Sequence, residues 1–502
     1  MPYTAGRCRI LRAPLGPARI LRPVATSHRT LDSNASSSME KTLIASISGI
    51  RGIFGRGLDP AVLVRFAGAY GTWIRQRAAE AGTDPVVVVG RDGRVTGPLC
   101  AQIVTATLRS TGCTVVDAGL ATTPTVEMAV LAEQAAGGII LSASHNPAEW
   151  NALKLLNEKG EFLTAEQGAE VLRLAEADVA ETVAYDALGE LHRRDFLPYH
   201  IDRIVALDFI DPDVIRARNF RVVVDGINSV GGVALPALLR RLGVAAERIH
   251  VLNGEPTGHF AHTPEPLPEH LTDTIRHVAE TGADLGLVVD PDADRLALIA
   301  DGGVYVSEEL TQVIAADFLW RFRTGPFVTN LSSSRAIEDV ARRYGAEVHR
   351  SAVGEINVVQ KMQEVGAVLG GEGNGGVILP DLHYGRDALV GTAMVLQHLA
   401  NEGIRLSDLR AQLPQYALSK NKLPIGQADP DALLRAVAKR LRDQRISTVD
   451  GVKIDLDEGW VHLRKSNTEP ILRVYAEAST PEAAEALAQR FMQLLRQVGQ
   501  LG

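Results

Sequence analysis

Cysteine is scarce: there are three in 502 residues, Cys8, Cys100 and Cys113. The count is odd, the spacing is wide and none of it matches a metal-ligand pattern. That suits a reducing, cytoplasmic setting and assigns Cys100 and Cys113 to core or helix positions. No run approaches the roughly 18 apolar residues that a membrane span needs. The body of the chain has no Lys/Arg block and the formal net charge is −8, which argues against nucleic acid or an anionic membrane as the main partner. No low-complexity segment follows Met39. What remains, at 46% hydrophobic and 22% charged residues, is an ordinary globular composition. It is spread over a chain too long for one core, so two to four domains are expected.

The first 38 residues differ. Arg7, Arg9, Arg12, Arg19, Arg22 and Arg29 precede the first acid, Asp32, and the segment ends Ser33-Asn34-Ala35-Ser36-Ser37-Ser38. It lacks the apolar core of a signal peptide. Its composition also suits a transit peptide. Met39-Glu40 opens directly into a strand-like segment, so residues 1–38 are read as a disordered or non-native extension.

Beyond Met39 a coarse repeat emerges. Apolar runs rich in β-branched residues, Pro85–Val89, Val222–Val224 and the weaker Pro326–Thr329, meet loops of small polar residues: GRDGRVTGP, DGINSVGG and NLSSSRA. Each loop leads into an amphipathic helical pattern, such as Cys100–Ser110 or Ala336–Tyr344. A second apolar run follows in each segment and ends in a distinctive loop: GIILSASHNP, LGLVVDPDADR and AVLGGEGNGG. Strands separated by helices imply βαβ units in mixed or parallel sheets, with chemistry at the carboxyl ends of strands. The fold class read from this is α/β, with three similar mixed-sheet domains at 39–190, 191–301 and 302–415. From 416 to 502 a hairpin pattern, the alternating Leu472–Ala478 and a long helix from Pro481 to Val498 predict a smaller α+β domain.

Four loops carry candidate chemistry. In SASHNP, Ser144 could cap a helix after Pro147, or be a nucleophile or phosphoryl carrier with His145 beside it and Lys154 one or two turns on. In DPDADR, Asp290, Asp292 and Asp294 alternate along an extended loop and point to one side. Carboxylates so close repel one another unless a cation sits among them, and hard oxygen ligands favour Mg²⁺ or Ca²⁺. An EF-hand would need Gly and Glu where Arg295 and Asp301 stand, and an aspartyl phosphatase would need Thr or Val where Asp294 stands. A solvated acidic turn is the plain alternative. In GGEGNGG the glycines admit close backbone approach. The loop lacks the Lys-Ser/Thr of a P-loop, and Glu372 and Asn374 suit sugar hydroxyls; a plain turn is again the alternative. Finally, Arg464-Lys465-Ser466-Asn467-Thr468-Glu469-Pro470, with Arg473 following, reads as a phosphate site or as a salt-bridged surface turn.

In this order the four loops resemble the signatures of the α-D-phosphohexomutase superfamily: Ser-His-Asn-Pro, Asp-x-Asp-x-Asp-Arg, Gly-Glu-x-Ser/Asn and Arg-x-Ser-x-Thr. Ser48-Gly49-Ile50-Arg51-Gly52 resembles the family's N-terminal arginine loop. The resemblance covers about residues 40–500. It implies three similar α/β domains and a smaller fourth around one cleft. It also implies that Ser144 carries a phosphoryl group and that Asp290, Asp292 and Asp294 hold Mg²⁺ together with an oxygen of that phosphoserine. The phosphoryl passes to a hexose phosphate, the 1,6-bisphosphate turns over in the cleft, and the other phosphoryl returns to Ser144. Arg51, Lys154 and Arg295 would supply positive charge, Lys154 as candidate acid/base with His145 assisting. Glu372 and Asn374 would hold the sugar, and Arg464, Ser466, Asn467, Thr468 and Arg473 the phosphate that is not reacting. Glucose 1,6-bisphosphate or a matching sugar bisphosphate is the implied activator, and small sugar phosphates are the partners.

The chain departs from the pattern at Asn374, where many members have Ser, and at Gly375-Gly376, where a His often follows shortly. GEGNGG with Tyr384-Gly385-Arg386-Asp387 is similar to the archaeal-type phosphoglucosamine mutase branch, with dual-specificity phosphoglucomutase/phosphomannomutase as the alternative. A silent sugar-phosphate-binding relative would show a broken serine or metal loop, and both are intact. A Mg²⁺-dependent phosphomonoesterase would release free phosphate.

Overall fold

A computed structural model describes residues 42–46, 49–466 and 471–499. Residues 1–38, Asn467 and Thr468 lie outside the described residues. Four sheets follow one another along the chain. The first has seven strands in the order Ile44–Ser46, Gly49–Ile53, Trp150–Leu156, Gly137–Leu141, Val86–Arg91, Thr114–Leu120 and Leu191–Arg193. The second runs Val304–Val306, Leu296–Ala300, Leu285–Val289, Val222–Asp225 and Ile249–Leu252. The third runs Val348–Ser351, Phe327–Asn330, Leu369–Glu372 and Gly376–Ile378. All three mix parallel and antiparallel pairs. The fourth, from Ala417 to Ala478, is wholly antiparallel and is backed by the helices Pro430–Arg440 and Pro481–Gly499. Two edge strands extend past the sequence-drawn divisions: Leu191–Arg193 pairs with the first sheet and Val304–Val306 with the second.

The first three sheets share one device. A fully buried parallel strand runs to its carboxyl end, turns through a short loop and returns antiparallel. Gly137–Leu141 returns as Trp150–Leu156, Leu285–Val289 as Leu296–Ala300, and Leu369–Glu372 as Gly376–Ile378. These runs lack polar alternation because they are covered on both faces. The three turns are the serine, acidic and glycine loops, placed equivalently in three copies of one architecture.

Local chemistry sets the flanks. The helix Pro60–Ala81 starts where the Asp59 side chain accepts from Val62 N, with Pro at its first position, and stops at Gly82 with φ 68°. It buries Leu63, Phe66, Trp73 and Ile74, each worth about 1.5–3 kcal/mol of apolar transfer. Its Tyr70 hydroxyl lies 3.1 Å from Gly138 O and 2.6 Å from Leu156 O. One buried side chain thus bridges both strands of the serine hairpin. Cys100 and Cys113 are buried free thiols. The second and third sheets share a single apolar cluster, joined through the buried helices Glu308–Leu319 and Ala388–Glu402. Among the described residues no helix is long and apolar enough to cross a membrane.

Candidate active site

The serine loop leads into no helix. The chain passes from Asn146 and Pro147 into the strand Trp150–Leu156, so Ser144 caps nothing, and Lys154 projects from a strand opposite Ile140 rather than from a helical turn. Ser144 itself has φ 48°, a left-handed conformation uncommon outside glycine and characteristic of constrained functional turns. The strain is held by its neighbours. Ser142 Oγ donates to Asp92 Oδ2 at 2.8 Å and accepts from Ser144 N at 2.9 Å. Arg94, fully buried, donates to the carbonyls of Ser144, Asn146, Pro147 and Trp150 at 2.5–2.9 Å. Neither Asp92 nor Arg94 was singled out from the sequence; GRDGR stood there only as a polar loop.

The acidic loop faces the serine. Ser144 Oγ donates to Asp290 Oδ2 at 2.6 Å, and His145 Nδ1 lies 3.5 Å from Ser144 Oγ. The three aspartates are fully buried, which excludes the solvated-turn alternative. The loop is a tight turn with Ala293 at φ 53°. Asp290 Oδ1 accepts from the N–H groups of Asp294 and Arg295, both at 3.2 Å. Lys154 Nζ donates to Asp292 Oδ2 at 2.5 Å and lies 3.7 Å from Asp294 Oδ2. Thr123, also unmarked in the sequence, donates its hydroxyl to Asp292 Oδ2 at 2.7 Å. Arg295 Nε lies 3.9 Å from Asp290 and 3.8 Å from Asp294.

Electrostatics separate these groups. Burial, then Asp294 and Asp292, push the Asp290 carboxyl well above its ordinary range. Burial raises Asp292 as well, but the Lys154 ammonium outweighs it and Asp292 is held low. Lys154 is raised because Asp292 and Asp294 overcome its desolvation. The cation Arg295, then burial, Arg386 and Arg51, hold His145 well below its ordinary value, which favours the neutral imidazole. Asp292 Oδ1 and Asp294 Oδ1 are buried with no hydrogen-bond partner. Orphaned carboxylate oxygens cost several kcal/mol unless something cationic meets them. Together with Asp290 they form a group whose oxygens lie within 4.8 Å of one another, a donor set that fits a hard divalent cation.

The glycine loop closes the far wall. Glu372 Oε1 accepts from Asn330 Nδ2 at 2.8 Å and Gly354 N at 3.3 Å; Oε2 accepts from Arg386 Nη1 at 2.9 Å and Asn374 Nδ2 at 3.3 Å. Burial opposes its charge but Arg386 prevails, and Glu372 stays ionised. A cleft of about 240 Å³ is lined by Arg51, Ser144, Lys154, Arg295, Glu372 and Asn374, with others. Arg51 comes from the strand Gly49–Ile53, where it pairs with Ala152.

The fourth loop is brought close only in part. Arg464 and Arg473 face each other across the strands Gly459–Lys465 and Ile471–Ala478, and Ser466 N donates to Ile471 O. Arg473 donates to the Tyr475 hydroxyl at 3.1 Å. Arg464 Nε lies 3.5 Å from Asp450, whose carboxylate accepts from Val353 N at the rim of the cleft. None of Arg464, Ser466 and Arg473 lines the cleft itself.

Comparison with known proteins assigns this architecture. The descriptions "Phosphoglucomutase/phosphomannomutase, alpha/beta/alpha domain" I, II and III match residues 43–181, 198–303 and 307–416, and the C-terminal domain matches 422–494. A phosphoglucomutase/phosphomannomutase of Thermococcus kodakarensis is 36% identical over 453 residues, 89% of this chain and 97% of that one. The chain belongs to the phosphoglucomutase/phosphomannomutase family. It is a phosphohexomutase, an intramolecular phosphotransferase of the α/β fold read from its sequence. A Methanopyrus kandleri protein named "Probable phosphoglucosamine mutase" is 35% identical over 454 residues, 89% of this chain and 97% of its own. Among solved structures, a phosphoglucomutase/phosphomannomutase family protein from Burkholderia thailandensis aligns with TM-score 0.80 and 28% identity, over 91% of this chain and 98% of its own.

Proposed function

We propose that this phosphohexomutase interconverts hexose 1-phosphates and 6-phosphates through a phosphoserine at Ser144, with glucosamine phosphate as the preferred sugar. The observation that carries the reading is the Ser144–Asp290 contact of 2.6 Å: it joins a strained, cleft-lining serine to a buried carboxylate set with orphaned oxygens.

The residues divide the work. Ser144 Oγ accepts and returns the phosphoryl group. Asp290, Asp292 and Asp294, with an oxygen of the phosphoserine, would hold Mg²⁺, which when bound neutralises charge on the phosphoryl oxygens. Arg51 and Arg295 add positive charge from the walls, since phosphoryl transfer depends on positioning and charge neutralisation. Lys154 moves the proton of the attacking or leaving sugar hydroxyl, and neutral His145 orients the serine. Glu372 and Asn374 bind sugar hydroxyls. Arg464, Ser466, Asn467, Thr468 and Arg473 grip the distal phosphate once the fourth domain closes. Glucose 1,6-bisphosphate, or the bisphosphate of the true sugar, serves as activator by phosphorylating Ser144.

Glucosamine is favoured by Glu355. It brings a buried carboxylate to the cleft wall, its Oε2 ion-paired with Arg386 Nε at 3.2 Å, and a 2-ammonium group would share that carboxylate with the guanidinium. The kinship with the Thermococcus kodakarensis protein supports a second reading, dual glucose and mannose specificity. Phosphorus NMR tests both. Protein, Mg²⁺, a trace of glucose 1,6-bisphosphate and the 1-phosphates of glucosamine, glucose and mannose are mixed. Conversion of glucosamine 1-phosphate fastest, without free phosphate, is expected. Faster glucose or mannose conversion would replace the sugar assignment, and free phosphate alone would mark a phosphomonoesterase.

A further inference from the structure

Arg386 stood in the sequence only as part of YGRD, yet it joins the two halves of the cleft. It lies on the loop before the helix Ala388–Glu402, and that loop is anchored on both sides of it. Asp387 caps the helix through Leu389 N and Val390 N and accepts from His200 Nε2 at 2.9 Å. His383 Nδ1 lies 3.0 Å from Glu127 Oε2, on the helix Thr123–Glu133. Between these anchors the Arg386 side chain, 8% exposed, turns into the site. Nη2 donates to Asp294 Oδ2 at 2.7 Å, Nη1 to Glu372 Oε2 at 2.9 Å, and Nε lies 3.2 Å from Glu355 Oε2.

Space for this path exists because residue 376 has no side chain. A Cβ at Gly376 would stand 2.3 Å from Arg386 Cδ and 2.8 Å from Cγ. The aliphatic stem of Arg386 therefore lies where a side chain at 376 would otherwise project. A planar fork bridging two carboxylates is a geometry that Lys cannot reproduce.

We propose that Arg386 is a positioning residue that couples the cation-binding loop to the sugar-binding loop, an inference that rests on the mutase reading above. By holding Oδ2 of Asp294 it leaves the orphaned Oδ1 for the cation. By holding Oε2 of Glu372 it fixes the plane of that carboxylate, so that a sugar hydroxyl displaces the longer bond from Asn374. Because the same cation serves both loops, its removal moves metal affinity and sugar affinity in opposite directions. Losing a positive charge beside Asp294 strengthens divalent-cation binding; losing the fork on Glu372 weakens the hexose phosphate.

The full-length Arg386→Gln variant tests this through two readouts, Mn²⁺ binding by electron paramagnetic resonance and steady-state kinetics. Expected are Mn²⁺ binding at least threefold tighter and a KM for hexose 1-phosphate at least tenfold higher, with kcat changed far less. Arg386→Lys should return Mn²⁺ affinity to the wild-type value but not KM. Gly376→Ala, which displaces the stem and keeps the charge, should raise KM as well, and it carries the test if Arg386→Gln does not fold. Wild-type KM in folded Arg386→Gln or Gly376→Ala overturns the proposal, as does weaker Mn²⁺ binding in Arg386→Gln, the mark of a merely structural role. An inactive wild-type protein would overturn the mutase reading and the sugar half of the proposal, while the Mn²⁺ arm still decides the metal half.

Discussion

Replacing Arg94 by Lys tests how the serine loop is held. Arg94 is fully buried and spends its donors on five acceptors: Asp92 Oδ2 and the carbonyls of Ser144, Asn146, Pro147 and Trp150. Lysine keeps the charge but offers three donors from a single point. At least two of these carbonyls, of which that of Ser144 is buried and the others are part-buried, or one carbonyl and the buried Asp92, lose their partner. Each orphaned group costs about 1–3 kcal/mol, so a loss of about 3 kcal/mol is expected. For a unit of 150–250 residues that corresponds to a midpoint about 6–12 °C lower. The catalytic effect exceeds the stability effect, because the carbonyls that Arg94 holds set the left-handed turn at Ser144. A displacement near 1 Å at a reacting atom costs about 10²-fold in rate. Thermal unfolding by circular dichroism and mutase turnover on the same preparation measure both. A variant melting within 2 °C of wild type, with activity within about threefold, would refute the view that this guanidinium holds the serine in place.

Ser144→Ala should abolish transfer and phosphoryl labelling while the melting temperature stays within a few degrees, since a loop hydroxyl adds little to the core; wild-type-like turnover would sink the phosphoserine. Asp292→Asn removes the partner of Lys154 and one orphaned oxygen, so activity should fall by two or more orders of magnitude, with a shifted Mg²⁺ titration; an unchanged titration removes Asp292 from the ligand set. Stability should also fall with rising pH between about 6.5 and 8. Although burial opposes its charge, hydrogen bonds to Asp387 and Glu127 raise His383 from 6.5 to about 10. Burial raises Glu127 from 4.5 to about 8. In that window the folded chain holds a proton on this mutually interacting pair that the unfolded chain has released, so the pair contributes a loss of up to about 1.4 kcal/mol per pH unit. Scanning calorimetry across pH 6–9 measures the slope, and a flat or rising profile contradicts the protonation of this cluster.

Local rules were enough for the elements and for marking the loops of the candidate site. Runs such as Val86–Val89 and Leu285–Val289 declare buried strands through β-branched composition, and the loops after them declare chemistry because polar residues at the end of a covered strand need partners. The spacing of Asp290, Asp292 and Asp294 and the serine in SASHNP were legible for that reason, as was the order of three similar domains and a different fourth. Tertiary structure decided which of these loops meet. Ser144 and Asp290 are 146 residues apart, and Glu372 lies farther still; three copies of one strand-and-return device bring their loops to one cleft. It also decided that Lys154 stands on a strand, that two domains share one core, and that Arg94, Thr123 and Arg386 belong to the site. None of the three was given a role from the sequence, because an arginine or threonine in a polar loop looks the same whether it is solvated or buried. Only packing, by removing water from around a carboxylate or a carbonyl, determines which cation or hydroxyl must answer it.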